Sequence, residues 1–220
     1  ITDGGMVPRL SVGFTDNFSF GVSFGVQNLI GDSKPTFNKT TPEVQIKYRV
    51  FDESLKMPAL VYGLDTQGRG EFYKQDSIFS ISGKFDSTRT LNRCDQKAWG
   101  MYIVFSKNWN LLGNLGMHVG ISKSISENDD GDNDPNVFFG FDKELNRSFS
   151  FLVEYDAALN DDDHTLNDIT FGKGKGYLNA GIRWAISSNL MLEINFNNIN
   201  QNTEAEYTNR EIKIMYSESF

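Results

Sequence analysis

The sharpest chemical motif in the chain is Glu127-Asn128-Asp129-Asp130-Gly131-Asp132-Asn133-Asp134-Pro135-Asn136. Asp130, Asp132 and Asp134 alternate around a glycine, and hard carboxylate oxygens on a tight turn are what Ca2+ prefers. The stretch lacks the final glutamate of an EF-hand loop and is flanked by strand patterns. The expectation is therefore a loose calcium site at Asp130, Asp132 and Asp134, or else a solvated acidic loop tip. Asn160 to Asp163 supplies a second acidic run. The two histidines, His118 and His164, share no nucleophile motif. His118 falls on the polar face of a strand pattern, where Ser106 or Ser122 is an available hydroxyl partner; the expected role is that of a hydrogen-bonded structural residue. There is no Gly-x-Ser-x-Gly elbow, and Gly172-Lys173-Gly174-Lys175-Gly176 lacks the spacing of a phosphate loop. No catalytic residue is assigned, and no enzyme is expected.

Charge and cysteine usage narrow the classes further. The 220 residues carry 21 basic and 29 acidic side chains, a net charge of −8. Nucleic-acid binding is not expected, because proteins that track phosphates cluster lysine and arginine. Cys94 is the single cysteine, so neither a disulfide framework nor a zinc cluster is available. No window approaches 18 consecutive apolar residues, which excludes a transmembrane helix. A bilayer-spanning barrel is not excluded, since its strands alternate lipid-facing apolar and lumen-facing polar residues.

The elements that must position these groups have a period of two. Glu43 to Val50 alternates polar and apolar over eight residues, placing Val44, Ile46, Tyr48 and Val50 on one face. Phe18, Phe20, Val22, Phe24 and Val26 repeat the pattern with serine and glycine between them. Similar runs lie at Arg9 to Phe14, Ala59 to Leu64, Trp99 to Ser106, Leu115 to Ile121, Val137 to Asp142, Phe149 to Tyr155, Leu178 to Ile186, Leu190 to Phe196 and Glu211 to Phe220. Together they make eleven candidate strands. The ten connections alternate long and short without exception, the rhythm of a barrel with short periplasmic turns and longer external loops.

The expected fold is all-β: one transmembrane antiparallel up-and-down barrel over residues 1–220, of about 12 strands (10 to 12). The span 65–97 is read as a long external loop or hairpin insertion. Barrels of this class usually have an even strand number, and eleven leaves the first strand starting on the outer side. A further strand ahead of Ile1, or Ser77 to Phe85 as a spanning strand, would restore the parity; a hairpin within the external loop is the preferred reading of Ser77 to Phe85.

With the apolar residues outward, the lumen-lining set comprises Gln45, Lys47, Arg49, Glu154, Asp156, Arg183, Glu193, Glu211 and Lys213. Arg183 lies on the strand between those bearing Glu154 and Glu193, so cross-strand ion pairs are within reach. Such charges either pair across a narrow lumen or face each other as acidic and basic walls of a wet pore. Trp99, Trp109, Tyr155, Trp184 and Tyr216, near strand ends, suit interfacial girdles.

The chain ends with Ile212, Ile214, Tyr216 and Phe220 on one face, interrupted at Glu218. A terminal aromatic on a closing strand resembles the assembly signal of outer-membrane barrels, with Glu218 departing from it. Gly4-Gly5-Met6-Val7-Pro8-Arg9-Leu10, Asn28-Leu29-Ile30-Gly31, Gly140-Phe141-Asp142-Lys143-Glu144, Glu154-Tyr155-Asp156-Ala157-Ala158-Leu159-Asn160 and Tyr177-Leu178-Asn179-Ala180-Gly181-Ile182-Arg183-Trp184 resemble a set of uncharacterised bacterial outer-membrane barrels. These are distantly similar to the YjbH-like barrels linked to exopolysaccharide export. The resemblance spans most of the chain and rests on structural glycines and strand ends. It implies a barrel in the bacterial outer membrane, with Ser77 to Gln96 an insertion relative to the pattern.

The functional expectation is passage of a small solute or glycan through a narrow lumen. The alternative is a closed docking barrel whose loops bind a partner or divalent cations, and a lipid-acting envelope enzyme is a remote third. Expected partners are outer-membrane lipid, lipopolysaccharide whose phosphates such cations would bridge, the barrel-assembly machinery, and an envelope protein or second copy.

Overall fold

The computed structural model describes residues 4–31, 34–75, 78–79, 85–86, 91–162, 172–203 and 208–219. Alternation gives the strands β1 (Arg9–Thr15), β2 (Phe18–Ser23), β3 (Val26–Gln27), β4 (Thr36–Phe37), β5 (Glu43–Phe51), β6 (Ala59–Asp65), β7 (Arg69–Gln75), β8 (Ile78–Phe79) and β9 (Phe85–Asp86). They continue with β10 (Leu91–Gln96), β11 (Gly100–Asn110), β12 (Asn114–Lys123), β13 (Asn136–Glu144), β14 (Phe149–Asp156), β15 (Tyr177–Ala185), β16 (Leu190–Asn197) and β17 (Asn209–Tyr216). One 11-stranded sheet runs β1-β2-β5-β6-β11-β12-β13-β14-β15-β16-β17, every ladder antiparallel. β1 and β17 are its two edges, and among the described residues no ladder joins them.

The eleven expected strands are these eleven, each within a few residues. One is shorter than its pattern. The run from Phe18 to Val26 leaves the sheet after Ser23, and Val26 instead faces Phe37 in the small β3/β4 ladder. The crossing is tight at Gly25, where a Cβ would stand 2.6 Å from the Asn38 amide. Within the long connection from β6 to β11, β7 pairs with β10 and β8 with β9, so this segment is a hairpin outside the main sheet.

Burial in this fold is inverted relative to a water-soluble domain. Each of the eleven main strands carries large apolar side chains that remain exposed. Tyr48 faces Tyr62, Tyr62 faces Ile103, Ile103 faces Ile121 and Ile121 faces Val137, giving one continuous stripe across five strands. Every member of that stripe is at least 41% exposed. The largest fully buried side chains are Arg93, Glu127, Asn202, Asp130, Cys94 and Ser23, all but Cys94 polar. All six lie at the end of the sheet that carries the long connections.

Candidate functional site

Two regions hold the polar chemistry: the inward face of the sheet and the cap that the long connections build over one end. On the inward face, pairing follows register. Arg183 and Glu193 are directly opposed on β15 and β16, and the guanidinium approaches one carboxylate oxygen at 2.8 Å from Nε and 2.7 Å from a terminal nitrogen. Glu193 also faces Lys213 on β17, at 3.9 Å, and Lys213 lies 3.6 Å from Glu211. Asn197 donates to Glu211 at 3.1 Å. Glu193 is 5% exposed while Arg183 is 39% exposed, so the acid is sequestered and the base reaches water.

Arg183 thus takes the acid on one side only. Glu154, on the other neighbouring strand, accepts from Asn179 at 3.1 Å and from Arg69 at 3.4 Å. Arg69 belongs to β7 of the hairpin. Burial among polar groups would lower its pKa, but Glu154, Glu211, Asp156 and Asp65 more than offset this and raise it. Those four carboxylates come from β14, β17, β14 and β6, so non-adjacent strands of the sheet surround a guanidinium that is still 45% exposed to water. Asp156 is held by Asn136, at 2.5 Å, and by the Ala158 amide, at 2.9 Å.

The β5 positions divide. Gln45 stands opposite Asp65 and Lys47 opposite Gly63, Lys47 being exposed. Arg49 differs from the lumen expectation because it sits one pleat from a short turn. Its guanidinium bonds the Asp16 carbonyl and the Asn17 side chain and pairs with Asp52 at 2.8 Å, tying two turns together.

The cap is centred on β7 and β10. Arg93, 1% exposed, makes a two-pronged contact with Asp161 at 2.6 and 2.9 Å and reaches Asp130 at 3.4 Å. Lys97 meets Asp130 at 2.6 Å and donates to the Asp132 carbonyl. Lys39, from the β4–β5 connection, pairs with Glu127 at 2.7 Å and Glu43 at 2.8 Å. Glu127 also accepts from the Ala98 amide. Three long connections are thereby cross-tied to one hairpin. Burial lowers the Lys39 pKa and its two glutamates more than restore it, for a net rise. Burial raises Asp130, and raises the Cys94 thiol far out of the reactive range.

The expected calcium residues are used differently. Asp130 is compensated by Lys97 and Arg93, and Asp132 accepts from the Asp162 amide while its own amide donates to Asp130. Asp134 is exposed. Among the described residues no group of three or more histidine, cysteine or acidic side chains is placed to hold a metal ion. Of the three expected ligands, Asp130 is thus taken up by the protein's own cations.

Ile212, Ile214 and Tyr216 project outward from the edge strand β17 and are 68 to 74% exposed; Phe220, His164 and Asp163 lie outside the described residues. Trp109, Trp184 and Tyr216 are exposed near the short turns, Trp184 stacking on Phe149 at 5.8 Å. Trp99 departs from the girdle, since it stacks at 4.3 Å on Phe138, which is buried. Arg69 and Arg93, which organise the site, lie in what the sequence marks only as a loop. Compared with protein-family models and with curated proteins, the chain matches none.

Proposed function

We propose that the chain is an outer-membrane β-barrel whose polar lumen passes a small solute and is closed at the long-connection end by the ion-paired hairpin cap. The observation that carries this reading is the exposed apolar surface contributed by all eleven main strands. Contiguous apolar patches on soluble monomers rarely exceed a few hundred Å2, and an uninterrupted belt has a physical rationale where the outer solvent is hydrocarbon. The inward polar face supports a wet interior, since Arg183 and Arg69 are paired yet retain 39% and 45% exposure. The glycan expected from the resemblance above is one solute class compatible with such a lining.

A second reading, a closed docking barrel, is favoured by the cap. Arg93, Asp130, Asp161 and Lys97 form a buried cluster without a free charge to draw in an ion. Conductance in a planar bilayer separates the two. Discrete steps, enlarged by Arg93→Ala, support passage through a capped lumen; heat-modifiable insertion with no steps from either protein supports docking. Failure to insert into lipid at all would overturn both.

A further inference from the structure

Three side chains on the inward face meet in a relation that solute passage leaves unused. Ser106 on β11 and His118 on β12 are directly opposed, and Asp142 on β13 lies diagonal to His118, opposite Gly116. Ser106 Oγ is 2.8 Å from His118 Nδ1, and Asp142 Oδ1 is 2.8 Å from His118 Nε2. The group is accessible, with His118 36% and Asp142 29% exposed. Glycines make room for it. Gly140 stands opposite His118, so no side chain competes with the lean of the ring toward Asp142. A Cβ on Gly116 would come within 2.5 Å of Asp142 Oδ1.

We propose that Ser106, His118 and Asp142 act as nucleophile, base and orienting acid in the hydrolysis of small acyl esters of hydroxyl-rich substrates. With the Nε2 proton donated to Asp142, Nδ1 carries the lone pair that faces the Ser106 hydroxyl. The Ser106 Oγ bonds to the acyl carbon, its proton passes to Nδ1, and the carbonyl electron pair moves onto oxygen. Collapse breaks the ester C–O bond, and the departing alkoxide takes the proton from Nδ1 as the alcohol. Water then adds to the acyl carbon with its proton going to Nδ1, and Ser106 leaves with that proton, releasing the acid. Ester and water are the only reagents.

The neighbouring space indicates the substrate class. Asp142 is the one member of the group on the wall of a cleft of about 220 Å3, which Asn114, Glu144, Arg147, Ser150 and Arg183 also line. Its polar lining beside the group suits a hydroxyl-rich substrate instead of a long acyl chain. The inference does not rest on passage or on membrane insertion, because the inward face is the same in either case.

The test treats the folded full chain with a fluorophosphonate probe and with p-nitrophenyl acetate. The expected result is a label on Ser106, located by mass spectrometry, that Ser106→Ala abolishes. Asp142→Asn and His118→Gln should each slow ester hydrolysis at least about a hundredfold. Ser122→Ala, on the same face of β12, should keep both label and turnover, and the far-ultraviolet circular dichroism of the sheet reports folding of every variant. An unlabelled Ser106 in the folded wild type would overturn the proposal. So would hydrolysis that is unchanged in both the Asp142→Asn and His118→Gln proteins, whether or not Ser106→Ala folds.

Discussion

The wall and the cap solve the same problem in opposite ways. In the wall, large apolar side chains on one face of the sheet are exposed on all eleven strands, and most of the charged ones lie on the other face. In the cap, the deepest side chains are an arginine, a glutamate, an aspartate and an asparagine, knitted by ion pairs from three connections. Among the described residues the buried apolar side chains, Leu91, Cys94, Ala98, Phe138, Ala158 and Tyr177, all lie at the cap end. In the proposed reading a hydrocarbon solvent outside makes the apolar belt of the wall favourable, whereas the cap is held by charge-assisted contacts that function in water. The difference teaches that the two regions should fail under different perturbations.

The largest loss is expected at the cap. Arg93→Ala leaves the buried Asp161 without its two-pronged guanidinium partner and Asp130 to Lys97, a class of change that costs about 3–5 kcal/mol. Its signature is local: the Cys94 thiol, fully buried and so expected to resist maleimide in the wild type, should become reactive while the sheet stays folded. Loss of the whole fold along with cap protection would show that wall and cap are one cooperative unit.

A charge on the outward stripe probes the other half of the comparison. Ile121→Arg should destabilise the protein by about 2–4 kcal/mol in lipid vesicles, measured by denaturant unfolding, and should leave Cys94 protected. An effect near zero would mean that the stripe faces water. Removal of an inward charge is expected to cost less. Arg183→Ala strands Glu193, which is 5% exposed, for a loss of about 1–3 kcal/mol. Where the lumen conducts, the same change should alter single-channel current; unchanged stability and unchanged current together would remove Arg183 from the lining.

The smallest effect concerns alkali. Because the folded-state pKa of Lys39 is raised, the stability from its pairing with Glu127 and Glu43 is fully present below the ordinary lysine range and is lost only as pH rises through the higher folded value. Maleimide protection of Cys94 should therefore persist at pH 10 in the wild type. Lys39→Met should loosen that protection already at neutral pH.

Strand positions were legible because alternation is a local signal: Glu43 to Val50 reads as β5 to within a residue. The polar face of each strand was legible for the same reason, and register made the Arg183–Glu193 pair foreseeable. Arg49 was not, because proximity to the turn let a long side chain reach Asp16, Asn17 and Asp52 instead of the interior. Arg69 and Arg93 were invisible to any local pattern, since their partners Glu154 and Asp161 lie 85 and 68 residues away and meet them only through loop packing. His118 and Ser106 were visible as a pair of polar positions, but Asp142 joins them only through the β12/β13 register.

The parity of the sheet carries a further geometric consequence. In an antiparallel series of eleven, the first and last strands point the same way. A seam made directly between β1 and β17 would be the one parallel ladder in the sheet, with slanted, evenly spaced hydrogen bonds that are slightly less stable per residue than its ten neighbours. Were these eleven strands to close on themselves, that seam would be the line along which the wall is cheapest to unzip.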